Sequence, residues 1–415
     1  MADREPSAPF SLRSMALTIY VPTLLMGIGQ SAVLAFVVLQ ARDLGASLGL
    51  AGVVFAMRGL GVMAFDVPAG LVLARIGPRR SMLASVALVG VFATLAAFSP
   101  NPLVLGALVF ALGGSTALWM LARIALVSDS APVEQRGRAI SLLGGSQRIG
   151  NFAGPAIGGF VAQALGFEGA MLLQTVGAVA ALALVFRFVH DRPGMMVATT
   201  HAPAGLMRTL KDSRQSFLTA GLAMVALQVL RQGRQVLLPL WGDELGLGPA
   251  EIGLVVAFAS FIDMLLFYPV GIVMDRFGRK WSAVPSMLLL GGSLLLVPLT
   301  GSFEALLVVG LVSGFANGLG SGIGMTLGAD LAPPGRQGEF LGVWRFVGDI
   351  GTSGGPLVVA GVTGVATLGL ACVAIGGLGL AGAAVMAFLV PETLRQRHPP
   401  PAPEPAANTD GPRAP

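Results

Sequence analysis

Charge is scarce in this sequence: 11% of its 415 residues are Asp, Glu, Lys or Arg, against 54% hydrophobic. A water-facing globular surface needs about a quarter of its residues charged, so a soluble α/β or all-β protein is excluded. A mean hydropathy of +0.79 places the chain in a bilayer. There is a single cysteine, Cys372, which rules out an intramolecular disulfide and a cysteine metal cluster. The three histidines, His190, His201 and His398, fall in segments expected to be cytoplasmic, which removes any intramembrane histidine relay. No ATP-binding loop, metal-ligand cluster or nucleophile triad is present, so neither an enzyme nor a cofactor or metal site is expected. The first 14 residues are polar and lack a small-residue cleavage site, so the first apolar segment is expected to be retained.

What the chain does have is a repeat. Adding 201 carries Gly70 to Gly271, Arg75 to Arg276, Gly77 to Gly278, Asp129 to Asp330, Pro132 to Pro333, Gly154-Pro155 to Gly355-Pro356 and Leu44-Gly45 to Leu245-Gly246. A constant offset over half the chain means two copies of one structural unit, and in an apolar chain such repeats build a transport path at their interface. Apolar stretches long enough to cross about 30 Å of hydrocarbon recur twelve times. They fall at 15–40, 48–73, 81–99, 102–127, 139–165, 168–189, 217–241, 250–274, 281–300, 304–328, 339–363 and 367–390. The expected fold is an all-α membrane protein of two pseudo-symmetric six-helix bundles. They occupy 15–189 and 217–391, with a cytoplasmic segment at 1–14, a linker at 190–216 and a disordered Pro/Ala-rich tail at 392–415. The 58 glycines suit close helix packing in lipid.

Basic residues fix the orientation. With both termini in the cytoplasm, 19 of the 26 Lys and Arg residues lie on the cytoplasmic side, six lie within spans, and Arg42 alone lies in an outer loop. The pI near 10.3 therefore reports topology and not nucleic-acid binding. Outer loops such as Ser99–Pro102 and Gly301–Glu304 are short, which excludes an extracellular domain.

Between spans 8 and 9 stands Gly271-Ile-Val-Met-Asp275-Arg276-Phe-Gly278-Arg279-Lys280, and between spans 2 and 3 its copy Gly70-Leu-Val-Leu-Ala74-Arg75-Ile-Gly77-Pro78-Arg79-Arg80. This resembles the cytoplasmic loop signature of the major facilitator superfamily, with Ala74 in place of the first aspartate. The resemblance implies that the glycines let helix ends cross and turn, and that the basic residues face helix C-termini and carboxylates. Asp129 and Asp330 are the expected partners, and in the first half the lock is expected either to be weaker or to rely on Arg75 with Asp129 as a substitute. Span 5 carries Gly150-Asn-Phe-Ala-Gly154-Pro155-Ala-Ile-Gly158-Gly159, similar to the fifth-helix motif of the superfamily's drug/proton antiporters. It implies a bent helix whose glycines form a smooth face for a helix of the other half.

Ions inside a bilayer cost about 2.5–3.5 kcal/mol each on insertion scales, so each should have a partner or a task. If the family's packing holds, depth along the helices pairs Arg148 with Asp263, Asp66 with Arg345, and Arg58 with Asp349, with an Arg345–Asp349 pair on one helix as competitor. These pairs either clasp the halves and break in each cycle or form a static clasp. The central cavity is expected to be lined by Gln30 and Ser31 (span 1), Trp119 (span 4), Gln228, Arg231, Gln232, Arg234 and Gln235 (span 7), and Asn317 and Ser321 (span 10). With arginines and amides but no carboxylate away from the cytoplasmic ends, such a cavity favours neutral polar or anionic solutes over cations. Alternatively, Arg231 and Arg234 snorkel outward to Asp243 and Glu244. The leading expectation is a monomeric, proton-coupled efflux transporter. An importer or facilitator of a sugar or organic anion stays open, as does a non-transporting sensor or assembly protein on the same scaffold.

Overall fold

The computed structural model describes residues 15–189, 209 and 211–394. The expected segment 1–14, most of the linker, the three histidines and the tail beyond 394 lie outside the described residues. Eight helices are long and apolar enough to cross a membrane, and one of them, Leu48–Ala97, holds two spans separated by non-helical backbone at Gly77. We number the spans α1 (Val21–Asp43), α2 (48–76), α3 (78–97), α4 (Pro102–Ser130), α5 (Val133–Leu165) and α6 (Phe167–Phe188). The second half supplies α7 (Leu222–Glu244), α8 (Pro249–Phe277), α9 (Lys280–Leu296), α10a (Phe303–Leu319), α10b (Ile323–Leu331), α11 (Gln337–Val365) and α12 (Leu368–Phe388). All twelve expected spans are present. Three of them, α5, α7 and α11, are not among the eight. They carry Arg148, Arg231, Arg234 and Arg345, and each packs against helices of both bundles.

The repeat is visible in the helix ends. A π-helical turn precedes both α1 (Ala16–Tyr20) and α7 (Phe217–Gly221), and α1 and α7 begin and end 201 residues apart. The caps follow the same register. Asn101 accepts the Leu103 and Val104 N–H groups at the start of α4, and Ser302 accepts that of Ala305 at the start of α10a. Each satisfies donors that a helix start leaves open. Ser47 caps α2 in the same way, while at the matching Gly248 the Glu251 carboxylate reaches back to the glycine N–H at 2.8 Å.

Packing obeys the same symmetry. In the first bundle α1 lies on α5 and α6, α2 on α4, and α3 on α6; in the second α7 lies on α11 and α12, α8 on α10a, and α9 on α12. Between bundles α5 meets α8, α2 meets α11, and α1 meets α7. Exchanging the halves turns the first of these seams into the second and leaves the third unchanged, which is what a twofold relation requires.

The copies differ in one place. Helix α4 is continuous, whereas its counterpart breaks between Leu319 and Ile323, where Gly322 takes a positive φ of 80°. The break falls well inside the membrane and leaves carbonyl groups free for side chains, a device tolerated at that depth only where protein surrounds it.

Candidate functional site

The outer ends of the two halves are closed by small residues and one loose ion pair. A methyl group placed on Gly49 would stand 3.0 Å from the Ala360 carbonyl oxygen, and one on Gly52 3.0 Å from the Ala360 methyl. Arg42 of α1 faces Asp243 of α7 at 3.9 Å, a contact that no sequence motif announced. On the cytoplasmic half, added methyl groups at Gly70, Gly144, Gly145, Gly338 and Gly342 would meet nothing within 4 Å. Close approach of the halves is thus seen at Gly49 and Gly52 on the outer side and not at these five glycines. For the same reason Gly70 and Gly271 mark no close helix crossing here, contrary to expectation, whereas Gly77 and Gly278 do turn the chain at φ 80° and 110°.

Of the three ion pairs expected across the seams, two are formed. Arg148 Nη1 lies 3.2 Å from Asp263 Oδ2 between α5 and α8. Ser321 of α10 donates to the other oxygen of Asp263 at 3.2 Å, and Phe267 stacks under the Arg148 guanidinium at 4.1 Å. Across the pseudo-equivalent seam Arg345 reaches Asp66 at 3.2 Å. Asp349 lies within electrostatic reach of Arg345 and Asp66, but no ion pair joins it to Arg58, which has no ion-pair partner among the described residues. Arg345 precedes Asp349 by one helical turn, yet its contact within ion-pair distance is with Asp66 across the seam.

The polar run of α7 divides by helix face. Arg231 and Arg234 turn to α10: Arg231 Nη2 donates to the Gly320 carbonyl at 2.7 Å, at the helix break, and Arg234 Nη1 lies 3.4 Å from Ser313 Oγ. Outward snorkelling to Asp243 and Glu244 does not occur. Gln228 donates to Thr352 at 3.2 Å, and a methyl on Gly355 would lie 3.2 Å from Gln232 Cβ. Both amides thus face α11 of their own bundle instead of lining the axis, because positions 228 and 232 sit one turn apart on the face that packs there. Gln235 and Gln30 are half-buried and make no side-chain hydrogen bond among the described residues. The Asn317 side-chain oxygen and Arg231 Nε are buried without a hydrogen-bond partner.

The first half holds a polar chain that the sequence reading missed. Arg123 donates to Gln147 at 2.9 Å, Gln147 to Asn151 at 3.3 Å, and Ser31 lies 3.0 Å from the same Asn151 oxygen. Trp119 is fully buried beneath Arg123, 6.0 Å from ring centre to guanidinium carbon, so it packs and does not present an open ring. The 24-residue gap between Arg123 and Gln147 hides this contact from any local pattern.

Helix α5 corrects a further expectation. Gly150, Gly154 and Gly158 form a stripe against α1 of the same bundle: a methyl on Gly150 would be 2.7 Å from the Gly27 carbonyl carbon, and one on Gly158 2.7 Å from the Ala32 methyl. Gly159 and Pro155 face the other half, as does Phe152, whose ring lies 5.1 Å from that of Phe261 in α8. A methyl on Gly159 would lie 2.7 Å from the Pro249 carbonyl and 3.1 Å from Gly253 Cα, and Gly253 in turn abuts the Pro155 carbonyl. Four-residue spacing gathers the first three on one face, and Gly159 is rotated by one residue to the next.

The cytoplasmic loop of the second half is an ordered ionic knot. Arg279 is buried, with Nε 2.9 Å from Asp330 Oδ2 and Nη1 donating to the Met274 carbonyl at 2.7 Å and to Asp275 at 3.4 Å. Arg276 is exposed, so Arg279 and not Arg276 engages Asp330. Residues 392–394, expected within the disordered tail, close over this loop. Glu392 accepts the N–H groups of Arg279, Lys280 and Leu394 at 2.9, 3.0 and 3.2 Å, and Thr393 donates to Asp330 at 2.9 Å. Burial pushes the Glu392 carboxyl up, but these backbone N–H groups outweigh it and hold the group below its ordinary range. In the first half Arg75 and Asp129 are both exposed and no ion pair joins them, so the substitute lock expected there is absent.

Comparison with known proteins agrees with this architecture. The family model of the Major Facilitator Superfamily matches residues 19–230 and again 216–413. The chain is 25% identical to multidrug resistance protein MdtH of Edwardsiella ictaluri over 86% of this chain and 93% of that protein. It is also 25% identical to multidrug resistance protein MdtG of Enterobacter lignolyticus, a match spanning about half of each, 48% of this chain and 47% of that protein. Among solved structures, a POT family transporter in complex with 5-aminolevulinic acid superposes with a TM-score of 0.74 at 14% identity, over 90% of this chain and 95% of that one. Matched in both halves and folded as twin six-helix bundles, this chain belongs to the Major Facilitator Superfamily and is a multi-pass transporter of the cytoplasmic membrane, not an enzyme.

Proposed function

We propose that this transporter exports a small solute in exchange for protons, by alternating exposure of a midplane site between its two halves, and that it works as a monomer. The relatives named for multidrug resistance support the outward direction. The observation that carries the reading is the Arg148–Asp263 contact at 3.2 Å with Ser321 on the second carboxylate oxygen. It joins the two halves inside the membrane, so rocking must part it. Parting an ion pair in a low-dielectric setting strands two charges, and a proton on Asp263 relieves half of that cost. Proton binding and opening of the seam are thereby linked. Neutral polar or anionic solutes are favoured over cations, because the arginines near the axis outnumber the carboxylates there.

The test is Asp263→Asn in proteoliposomes with an imposed pH gradient. Gradient-driven flux is expected to fall about a hundredfold or more, the scale of losing a positioned proton carrier, while membrane insertion persists. Transport at the wild-type rate by this variant would end the proposal. Equilibration by the wild-type protein without regard to the gradient would instead identify a facilitator.

A further inference from the structure

Three guanidinium groups gather around one carboxylate: Arg148 of the first half with Arg231 and Arg234 of the second, about Asp263. Arg231 lies within electrostatic reach of Asp263, Arg148 and Arg234, and among the described residues Asp263 is the acidic group that acts on the α7 pair. Arg148 takes the direct contact. Arg231 and Arg234 are left with neutral acceptors only: the Gln228 amide, the Gly320 carbonyl and the Ser313 hydroxyl. Both arginines sit near the middle of α7, and Arg234 is 7% exposed.

The three cations are strung along one stripe of α10. Arg234 meets Ser313, Arg231 meets the break at Gly320, and Arg148 lies 3.5 Å from Ser321. Between them lies Asn317, whose side-chain oxygen is buried without a hydrogen-bond partner, as is Arg231 Nε. Two uncompensated positive charges at this depth are costly, and neutral acceptors do not cancel them. A purely structural role would be met by one arginine at the helix break, or by leucine at both positions.

We infer that Arg231 and Arg234 form the binding site for an organic dianion, whose two negative charges balance the excess. The site deepens the transport reading and rests on it only for the location of the solute path. Guanidinium forks suit carboxylates, and each accepts a charged partner more strongly than the neutral oxygens now in place. An arriving anion competes with the Gly320 carbonyl for Arg231, so occupancy is felt at the break in α10.

The test uses three probes of one skeleton that differ in charge: phthalate, phthalamate and phthalamide, titrated at alkaline pH into the purified full-length protein in nanodiscs. Binding is followed by tryptophan fluorescence and calorimetry. Affinity is expected to rise about tenfold with each negative charge, the scale of one charge-assisted contact. Arg231→Gln and Arg234→Gln are each expected to remove at least one of those steps, lowering the ratio of phthalate to phthalamide affinity about tenfold. Equal affinity for all three probes in the wild-type protein overturns the site, and this arm stands even if a variant fails to fold. Undiminished phthalate binding by either folded variant overturns it as well. A flat charge series together with intact pH-driven flux would remove the dianion site alone and leave proton-coupled transport in place.

Discussion

The loop at 70–80 and its copy at 271–280 share a register, two glycines and a run of basic residues, yet the buried Arg279–Asp330 pair of the second has no counterpart at the matching Pro78 and Asp129. At the 201 offset Ala74 stands where the second half has Asp275, and Pro78 stands where it has the buried Arg279. Arg279 binds Asp330, Asp275 and the Met274 carbonyl, and residues 392–394 seal it. Asp191, the position matching Glu392, lies outside the described residues, but Arg75 and Asp129 in the first half are exposed to solvent and unjoined. Repetition of a motif therefore does not carry repetition of its chemistry. With alanine at 74 and proline at 78, the first loop lacks the groups that make the Arg279–Asp275 and Arg279–Asp330 contacts of the second.

The contrast can be broken most sharply at Arg279. Replacing it by Ala removes the guanidinium from Asp330, whose side chain is 1% exposed, and losing one partner of a buried ion pair costs about 3–5 kcal/mol. The check is the thermal unfolding midpoint of the purified protein, which should drop markedly; a change no larger than that of a surface substitution would show that the knot is not structural. A smaller loss, about 1 kcal/mol, is expected for Glu392→Gln, which keeps an acceptor but removes the charge that strengthens three hydrogen bonds. This variant also has a pH signature. The carboxyl of Glu392 is held below its ordinary value of 4.5, so its stabilisation is complete above that value and is lost as pH falls through the lower folded one. The gap between wild-type and Glu392→Gln unfolding curves should therefore be constant at neutral pH and narrow on acidification below about 4.5. A gap that widened there would contradict the sign. The smallest effect belongs to the first half: Arg75→Ala should shift stability by no more than about 0.5 kcal/mol, as for an exposed group. A loss comparable with that of Arg279→Ala would erase the distinction between the loops.

Much of the architecture was legible because it depends on periods and offsets. The 201-residue repeat gave the twin bundles, and apolar length gave twelve spans. Depth along a helix, combined with the helix neighbours that the family resemblance implies, paired Arg148 with Asp263 and Asp66 with Arg345, since rise per residue is fixed. What depth does not give is azimuth. Gln228 and Gln232 face α11, and three of the α5 glycines face α1, because the direction of a side chain around its axis depends on how the whole bundle packs. The break in α10 contains no proline to announce it, although the glycines at 318, 320, 322 and 324 marked a weak stretch. Contacts such as Arg123 with Gln147, or Glu392 with the loop before α9, join residues that no local pattern links. Composition also misled at 392, where a Pro-rich neighbourhood concealed a carboxylate with three backbone donors.

The meeting of Gly159 with Gly253 has a mechanical consequence. Most packed helices are geared by side chains that interlock, and to shift them every rotamer along the contact must be reset. Here one bare main chain rests on another, with no tooth on either side to catch. Such a bearing holds its partners close while opposing rotation very little, so the two bundles can swing about this point without first being pulled apart.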